Sequence, residues 1–166
     1  MERYKNTGWQ LCREDRTSRK GDAEYLKILI INGPNINMLG IRETEIYGNK
    51  SYADLLEYIC HAAAEMEIVT EFFHSNCEGA IVDAIQDAYE EFDGIVINPA
   101  AYAHTSIAIP DAIKAVGIPA VEVHLTDINA REQYRRFSFT SDACVKCISG
   151  KGFEGYKSAM LALLDY

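Results

Sequence analysis

Short apolar runs that stop on a polar residue recur along this chain, and they restrict it to few folds. Residues 26–31, 94–97 and 120–123 are such runs, followed by Asn32-Gly33-Pro34-Asn35, Asn98-Pro99 and His124-Leu125-Thr126. The run 94–97 is apolar without interruption, the pattern of a strand covered on both faces. Helical spacing fills the gaps. A helix over 51–66 opens at Ser51-Tyr52-Ala53-Asp54, close to a capping box. Another starts near Asn76, with Glu78 in its first turn, and sets Ala80, Ile81, Ala84, Ile85 and Ala88 on one face. A third runs from about Ser106 to before Gly117, where Pro110 is tolerable only in the first turn. Further strands are expected at 68–73 and 143–148, a helical turn at 130–135, and a last helix at 152–164. Strands alternating with helices predict an α/β, flavodoxin-like fold: a five-stranded parallel sheet with helices on both faces. Ligands of such sheets bind beyond the carboxyl ends of the strands. Three strands therefore deliver Asn32, Asn98 and His124 to one edge as a candidate active site.

With 166 residues, 48% of them hydrophobic, the chain suits one sizeable core. Residues 26–166 read as a single domain. Residues 1–25, polar and mixed in charge, read as a flexible or loosely docked extension that Trp9 and Leu11 could anchor. A net charge of −9 argues against a nucleic-acid partner, which needs clustered Lys and Arg. No apolar run approaches the ~18 residues of a membrane span. Neither a secretory signal nor a mitochondrial presequence is evident, so a cytoplasmic location is expected. The five cysteines are expected to be reduced thiols. Cys144-Val145-Lys146-Cys147 resembles a redox or zinc half-motif. Placed in a strand, however, its two cysteines face opposite sides, and there is no second pair to complete a site.

Each candidate residue has a plain structural role beside its chemical one. Asn32-Gly33-Pro34-Asn35 is good turn chemistry. Arg42 and Tyr47 sit in a loop over 39–50 that is long enough for a lid. His104 suits a helix start, with Thr105 or Ser106 as its cap. Glu122 and His124, at i and i+2 of a strand, face the same side. They suit a buried ion pair, a metal pair lacking its third ligand, or an acid oriented by a carboxylate. Arg131 and Arg135 are i and i+4, and on a helix would share a face as an anion clamp. Together these groups suit proton abstraction beside a carbonyl followed by loss of a leaving group. Only ~0.1% of an ordinary tyrosine is phenolate at neutral pH, so a basic Tyr47 needs a cation beside it, and Arg42 is in the same loop. His124 suits donation of a proton to a departing hydroxyl, and Asn35 suits oxygen charge developing in an intermediate.

The ordered set Asn32-Gly33-Pro34-Asn35-Ile36-Asn37-Met38-Leu39-Gly40, Arg42-Glu43, Tyr47-Gly48, Glu78-Gly79, Asn98-Pro99, His104-Thr105-Ser106, Glu122-Val123-His124 and Ala130-Arg131-Glu132 resembles type II 3-dehydroquinate dehydratase (type II dehydroquinase). The resemblance covers about residues 26–164. It implies that Tyr47 takes the C2 proton of 3-dehydroquinate, with Arg42 lowering its pKa, and that Asn35 helps hold the enolate oxygen. His124 would protonate the leaving C1 hydroxyl, with Glu122 as its orienter. Asn98 and the backbone N–H groups of Leu125 and Thr126 would hold the substrate carboxylate. Hydroxyls would be read by His104, Arg135 and, from a neighbouring subunit, Asp111. It further implies trimers assembled into dodecamers, no metal, nucleotide or other cofactor, and a place in the shikimate pathway or quinate breakdown. The chain departs from the family pattern at Ala100, where Gly is common, and at Pro110, where Arg precedes the Asp111 position. Two other functions suit the same fold. One is a catalytically degenerate binding or regulatory protein. The other is an FMN-binding flavodoxin-like protein, which needs a Ser/Thr/Gly-rich phosphate loop where this chain has Asn-Gly-Pro-Asn.

Overall fold

A computed structural model describes residues 9–11, 25–41 and 49–166, the first three by their backbone. Arg42 and Tyr47 lie outside the described residues. Six strands form one sheet: β1 (Trp9–Leu11), β2 (Lys27–Asn32), β3 (Val69–His74), β4 (Gly94–Asn98), β5 (Ala120–His124) and β6 (Lys146–Ser149). The helices are α1 (Tyr52–Glu65), α2 (Glu78–Asp87), α3 (Ala108–Val116) and α4 (Glu154–Leu164). Spatial strand order is β1-β3-β2-β4-β5-β6. Strands β2 to β6 are parallel, in the flavodoxin-like order with its switch point between β2 and β4. The expected five-stranded sheet is thus present with one addition. Trp9–Leu11, placed in the extension expected to be flexible, is a strand antiparallel to β3.

Period-two alternation explains the layering. Ile28 and Ile30 of β2 pack with α1 and α4 residues such as Leu55, Ile59 and Tyr156. Leu29 and Ile31 of the same strand pack on the other face with Ile81 and Ile85 of α2 and Ile109 and Ile113 of α3. Both β4 and β5 are buried at every position, as strands sandwiched between helix layers must be.

The helix signals hold with small shifts. Ser51 and Asp54 form the capping box, Ser51 Oγ accepting from the Asp54 N–H at 3.2 Å and Asp54 from the Ser51 N–H at 2.7 Å. Helix α2 starts two residues later than expected, after the Ser75 hydroxyl accepts the Cys77 N–H at 2.9 Å. Pro110 falls in the first turn of α3, where its missing N–H costs nothing. His104 ends a 3-10 turn (Ala100–His104) rather than starting α3, and the Ser106 hydroxyl accepts the Ile109 N–H at 3.0 Å.

Three expectations are corrected. Arg131 and Arg135 do not share a helical face, because the segment splits into two 3-10 turns, Ile128–Ala130 and Gln133–Arg135, with Arg131 extended between them. Cys144 is not in a strand; it follows the 3-10 turn Thr140–Ala143, and β6 begins only at Lys146. Cys60 is disulfide-bonded, whereas Cys77, Cys144 and Cys147 are free thiols. Sequence spacing does not reveal which cysteines meet in space.

Two backbone positions shape the edge of the sheet. A Cβ on Gly33 would lie 2.6 Å from the Pro99 carbonyl oxygen, so only glycine lets the turn after β2 close on the end of β4. That closure is pinned by the Gly33 N–H donating to the Asn98 carbonyl at 2.8 Å. Ala100 has φ of 52°, a left-handed conformation that costs an L-residue roughly 1–2 kcal/mol. Glycine there avoids this cost but adds freedom to the unfolded chain. Ala100→Gly should therefore raise the urea midpoint by up to about 1 kcal/mol of stability. An unchanged or lower midpoint would show that the methyl's packing outweighs the backbone cost.

Candidate active site

Beyond the ends of β2, β4 and β5 lies a cavity of about 170 Å³. Asn35, Asn98, His104, His124, Leu125, Thr126 and Arg135 line it, seven of the expected site residues, and Arg131 joins them. Asp111 does not: it is exposed on α3. The cavity sits at the topological switch point of the sheet, where strand order reverses.

Glu122 and His124 are placed by β5, two residues apart and on one face. Both are buried, Glu122 completely. His124 Nε2 is hydrogen-bonded to Glu122 Oε1, which leaves Nδ1 as the ring nitrogen available to a ligand in the cavity. The same carboxylate oxygen accepts from the Ser138 hydroxyl at 2.7 Å, and Ser138 in turn accepts the Ser141 N–H at 3.2 Å. The other oxygen, Oε2, is buried and has no hydrogen-bond partner. The hydrogen bond to Glu122 fixes the orientation of the His124 ring at the edge of the cavity.

The His104 ring stacks parallel to His124, with centroids 6.2 Å apart. Its Nδ1–H donates to the Phe137 carbonyl at 2.7 Å, so Nε2 is free to meet a hydroxyl. Asn35 adopts the left-handed conformation, and its N–H donates to the Asn76 side chain at 2.9 Å. Past β5, the N–H groups of Leu125 and Thr126 donate to no protein acceptor among the described residues. Two adjacent open N–H groups on a cavity wall suit an anionic oxygen. Arg131 Nη1 reaches the Thr126 hydroxyl at 3.4 Å, which brings positive charge to the same wall.

Asn32 shares the sheet edge but not the cavity. Its position on β2 faces the α1/α4 layer, where the buried Tyr156 hydroxyl donates to Asn32 Oδ1 at 2.6 Å and accepts from Asn98 Nδ2 at 3.0 Å. Burial raises the Tyr156 pKa well above the ordinary tyrosine value, so this phenol is a structural bridge rather than a base. It ties β2, β4 and α4 together behind the site and, with the Ala100 N–H donating to Asn98 Oδ1 at 3.2 Å, fixes the Asn98 amide. Sequence reasoning missed Tyr156, Ser138 and Asn76. All three act across long stretches of chain, and no local spacing announces them.

The cysteines near the site are poor nucleophiles. Burial and the Glu122 charge raise the Cys147 thiol to about 11, and the same causes raise Cys144 further. As metal ligands they differ. Glu122, His124 and Cys147 offer ligand atoms within 4.8 Å of one another, the one such group among the described residues.

A flavodoxin-like sheet carrying a carboxylate-bound histidine beside an anion-accepting turn defines an α/β protein equipped for proton transfer on a small anionic ligand. Comparison with known proteins narrows this class. Residues 26–164 match the sequence profile of the family described as dehydroquinase class II. The chain is 54% identical over 138 residues to a 3-dehydroquinate dehydratase of Clostridium acetobutylicum, covering 83% of this chain and 96% of that one. It is 55% identical over 140 residues to a 3-dehydroquinate dehydratase of Caldicellulosiruptor saccharolyticus, covering 84% and 97%. The crystal structure of type II dehydroquinase from Butyrivibrio crossotus superposes with a TM-score of 0.83 at 47% identity, covering 86% of this chain and 99% of that one. This chain belongs to the class II dehydroquinase family.

Proposed function

We propose that this chain removes water from 3-dehydroquinate to give 3-dehydroshikimate, as a type II 3-dehydroquinate dehydratase of the shikimate pathway. It is a hydro-lyase. The observation that carries the reading is the buried Glu122–His124 pair set beside the open N–H groups of Leu125 and Thr126. An acid aimed at a cavity with an anion-accepting wall is what elimination from a carboxylated hydroxy ketone requires.

The roles assigned here are those that the family resemblance implies. Tyr47, as a phenolate whose pKa Arg42 is assigned to lower, takes the C2 proton, and the electron pair moves to the C3 oxygen as an enolate. Asn35 holds that oxygen, directly or through a water. The enolate collapses, the C1–oxygen bond breaks on the opposite face, and His124 gives its proton to the departing hydroxyl, completing water. Glu122 keeps the imidazole oriented for the transfer. Leu125 and Thr126 N–H groups and Asn98 hold the substrate carboxylate. His104 and Arg135 read hydroxyls. Asp111, exposed on α3 and away from this chain's own cavity, is assigned to a neighbouring subunit's substrate. That assignment requires an oligomer, which the family resemblance makes a trimer assembled into dodecamers.

No described helix is long and apolar enough to cross a membrane, in keeping with a cytoplasmic enzyme. Residues 26–166 form the catalytic domain in this reading.

The elimination needs no covalent intermediate. Borohydride added with 3-dehydroquinate should therefore leave turnover intact. A trapped substrate–lysine adduct, with loss of activity, would point to Schiff-base chemistry instead.

A further inference from the structure

Cys147 has no part in the elimination, yet it stands against the residues that do. Strands β5 and β6 pair in parallel with Glu122 opposite Cys147, so the two side chains share a face. His124, two residues on from Glu122, shares it too. The ligand atoms of the three lie within 4.8 Å of one another. We propose that Glu122, His124 and Cys147 form an inhibitory binding site for a zinc-type divalent cation, which shuts off the proton relay when it binds. The inhibitory half of this inference rests on the assigned role of His124; the binding half does not.

Three features support a cation here. The first is the unpartnered Oε2 of Glu122, on a side chain with no solvent exposure. Oε1 is occupied by His124 and Ser138, so Oε2 is a ready oxygen donor whose lone pairs are otherwise unmatched. The second is the donor set. One imidazole, one carboxylate and one thiolate suit zinc, whereas magnesium and calcium prefer oxygen alone. The third is access. Cys147 is exposed and its thiol is free, so a cation can reach the buried pair through it. Tetrahedral zinc sets its ligands about 3.4–3.7 Å apart, so the cluster must tighten by roughly 1 Å, within the reach of side-chain rotation at an exposed cysteine. Three protein ligands leave a fourth position for water.

Binding opposes catalysis because both draw on the same imidazole and carboxylate. The cation displaces the proton shared between His124 and Glu122 and the proton of the Cys147 thiol. A His124 bound to the cation through Nε2 keeps only the Nδ1–H of a neutral imidazole, a far weaker acid toward the leaving hydroxyl than an imidazolium.

The test uses the full-length chain, stripped of metal and with its Cys60 disulfide intact, titrated with Co²⁺ and separately with Zn²⁺. Co²⁺ should bind with a near-ultraviolet thiolate-to-cobalt charge-transfer band, and Zn²⁺ should bleach it. Turnover of 3-dehydroquinate should fall as Zn²⁺ binds. Cys147→Ser should keep its metal-free turnover, lose the band, and need at least about tenfold more Zn²⁺ for the same inhibition. Cys144→Ser should behave as the parent chain. Co²⁺ bound without a thiolate band, or Cys147→Ser inhibited at the parent's zinc concentration, would overturn the proposal. A metal-free chain that does not turn over 3-dehydroquinate would instead fail the functional reading, while the cobalt band would still report the site.

Discussion

His124→Ala should lose dehydration while still exchanging the C2 proton of 3-dehydroquinate with solvent, and Tyr47→Phe should lose both. The contrast follows from a two-step elimination in which the base acts before the acid. Removing the phenol leaves nothing to form the enolate. Removing the imidazole leaves enolate formation in place but strands it before the C1–oxygen bond breaks. General acid assistance is worth ~10²–10⁴-fold, so the loss in kcat for His124→Ala should be of that order. In deuterated water, substrate recovered from the His124 variant should carry deuterium at C2, and substrate from the Tyr47 variant should not. Mass spectrometry reads both. Exchange that survives in Tyr47→Phe and vanishes in His124→Ala would mean that the two roles are reversed.

Glu122→Gln is the second large effect, and its direction on stability differs from its direction on activity. The substitution keeps the shape of the side chain but replaces the carboxylate that holds the His124 ring by a neutral amide. Loss of a carboxylate that orients a catalytic histidine costs about 10²–10⁴-fold in kcat. KM should change much less, because Glu122 does not line the cavity. Stability should hold or rise, since a fully buried carboxylate with an unpartnered oxygen is costly to desolvate. Chemical denaturation beside steady-state kinetics separates the two. A variant with near-normal kcat would remove Glu122 from the mechanism.

Most of the architecture was legible because local pattern and tertiary environment agree. The unbroken apolar run 94–97 is buried at every position, and the alternation in Lys27–Asn32 divides cleanly between two helix layers. Ser51 and Asp54 announce α1 by chemistry that is complete within four residues. What escaped is long-range or very short. Trp9–Leu11 is three residues in a polar stretch, too brief to show a period, and its strand character comes from pairing with β3. Tyr156 meets Asn32 across 124 positions and Ser138 meets Glu122 across 16, so neither bond leaves a trace in spacing. Arg131 and Arg135 were paired by helical spacing, yet two separate 3-10 turns bring them to the same wall by another route. The site followed the same division. His124 and Glu122 could be paired from strand period alone. Cys147 could not be joined to them, because that contact depends on the register of β6 against β5.

The central claim is the reaction itself, and the most direct measurement is the initial rate of ultraviolet absorbance rise when the purified full-length chain meets 3-dehydroquinate. Dehydration creates a conjugated enone carboxylate from a substrate that has none. The rate should rise with substrate to saturation and need no added metal, nucleotide or flavin. Saturable binding of 3-dehydroquinate by a folded chain with no rise in absorbance would contradict the account and identify a binding protein on a dehydroquinase fold.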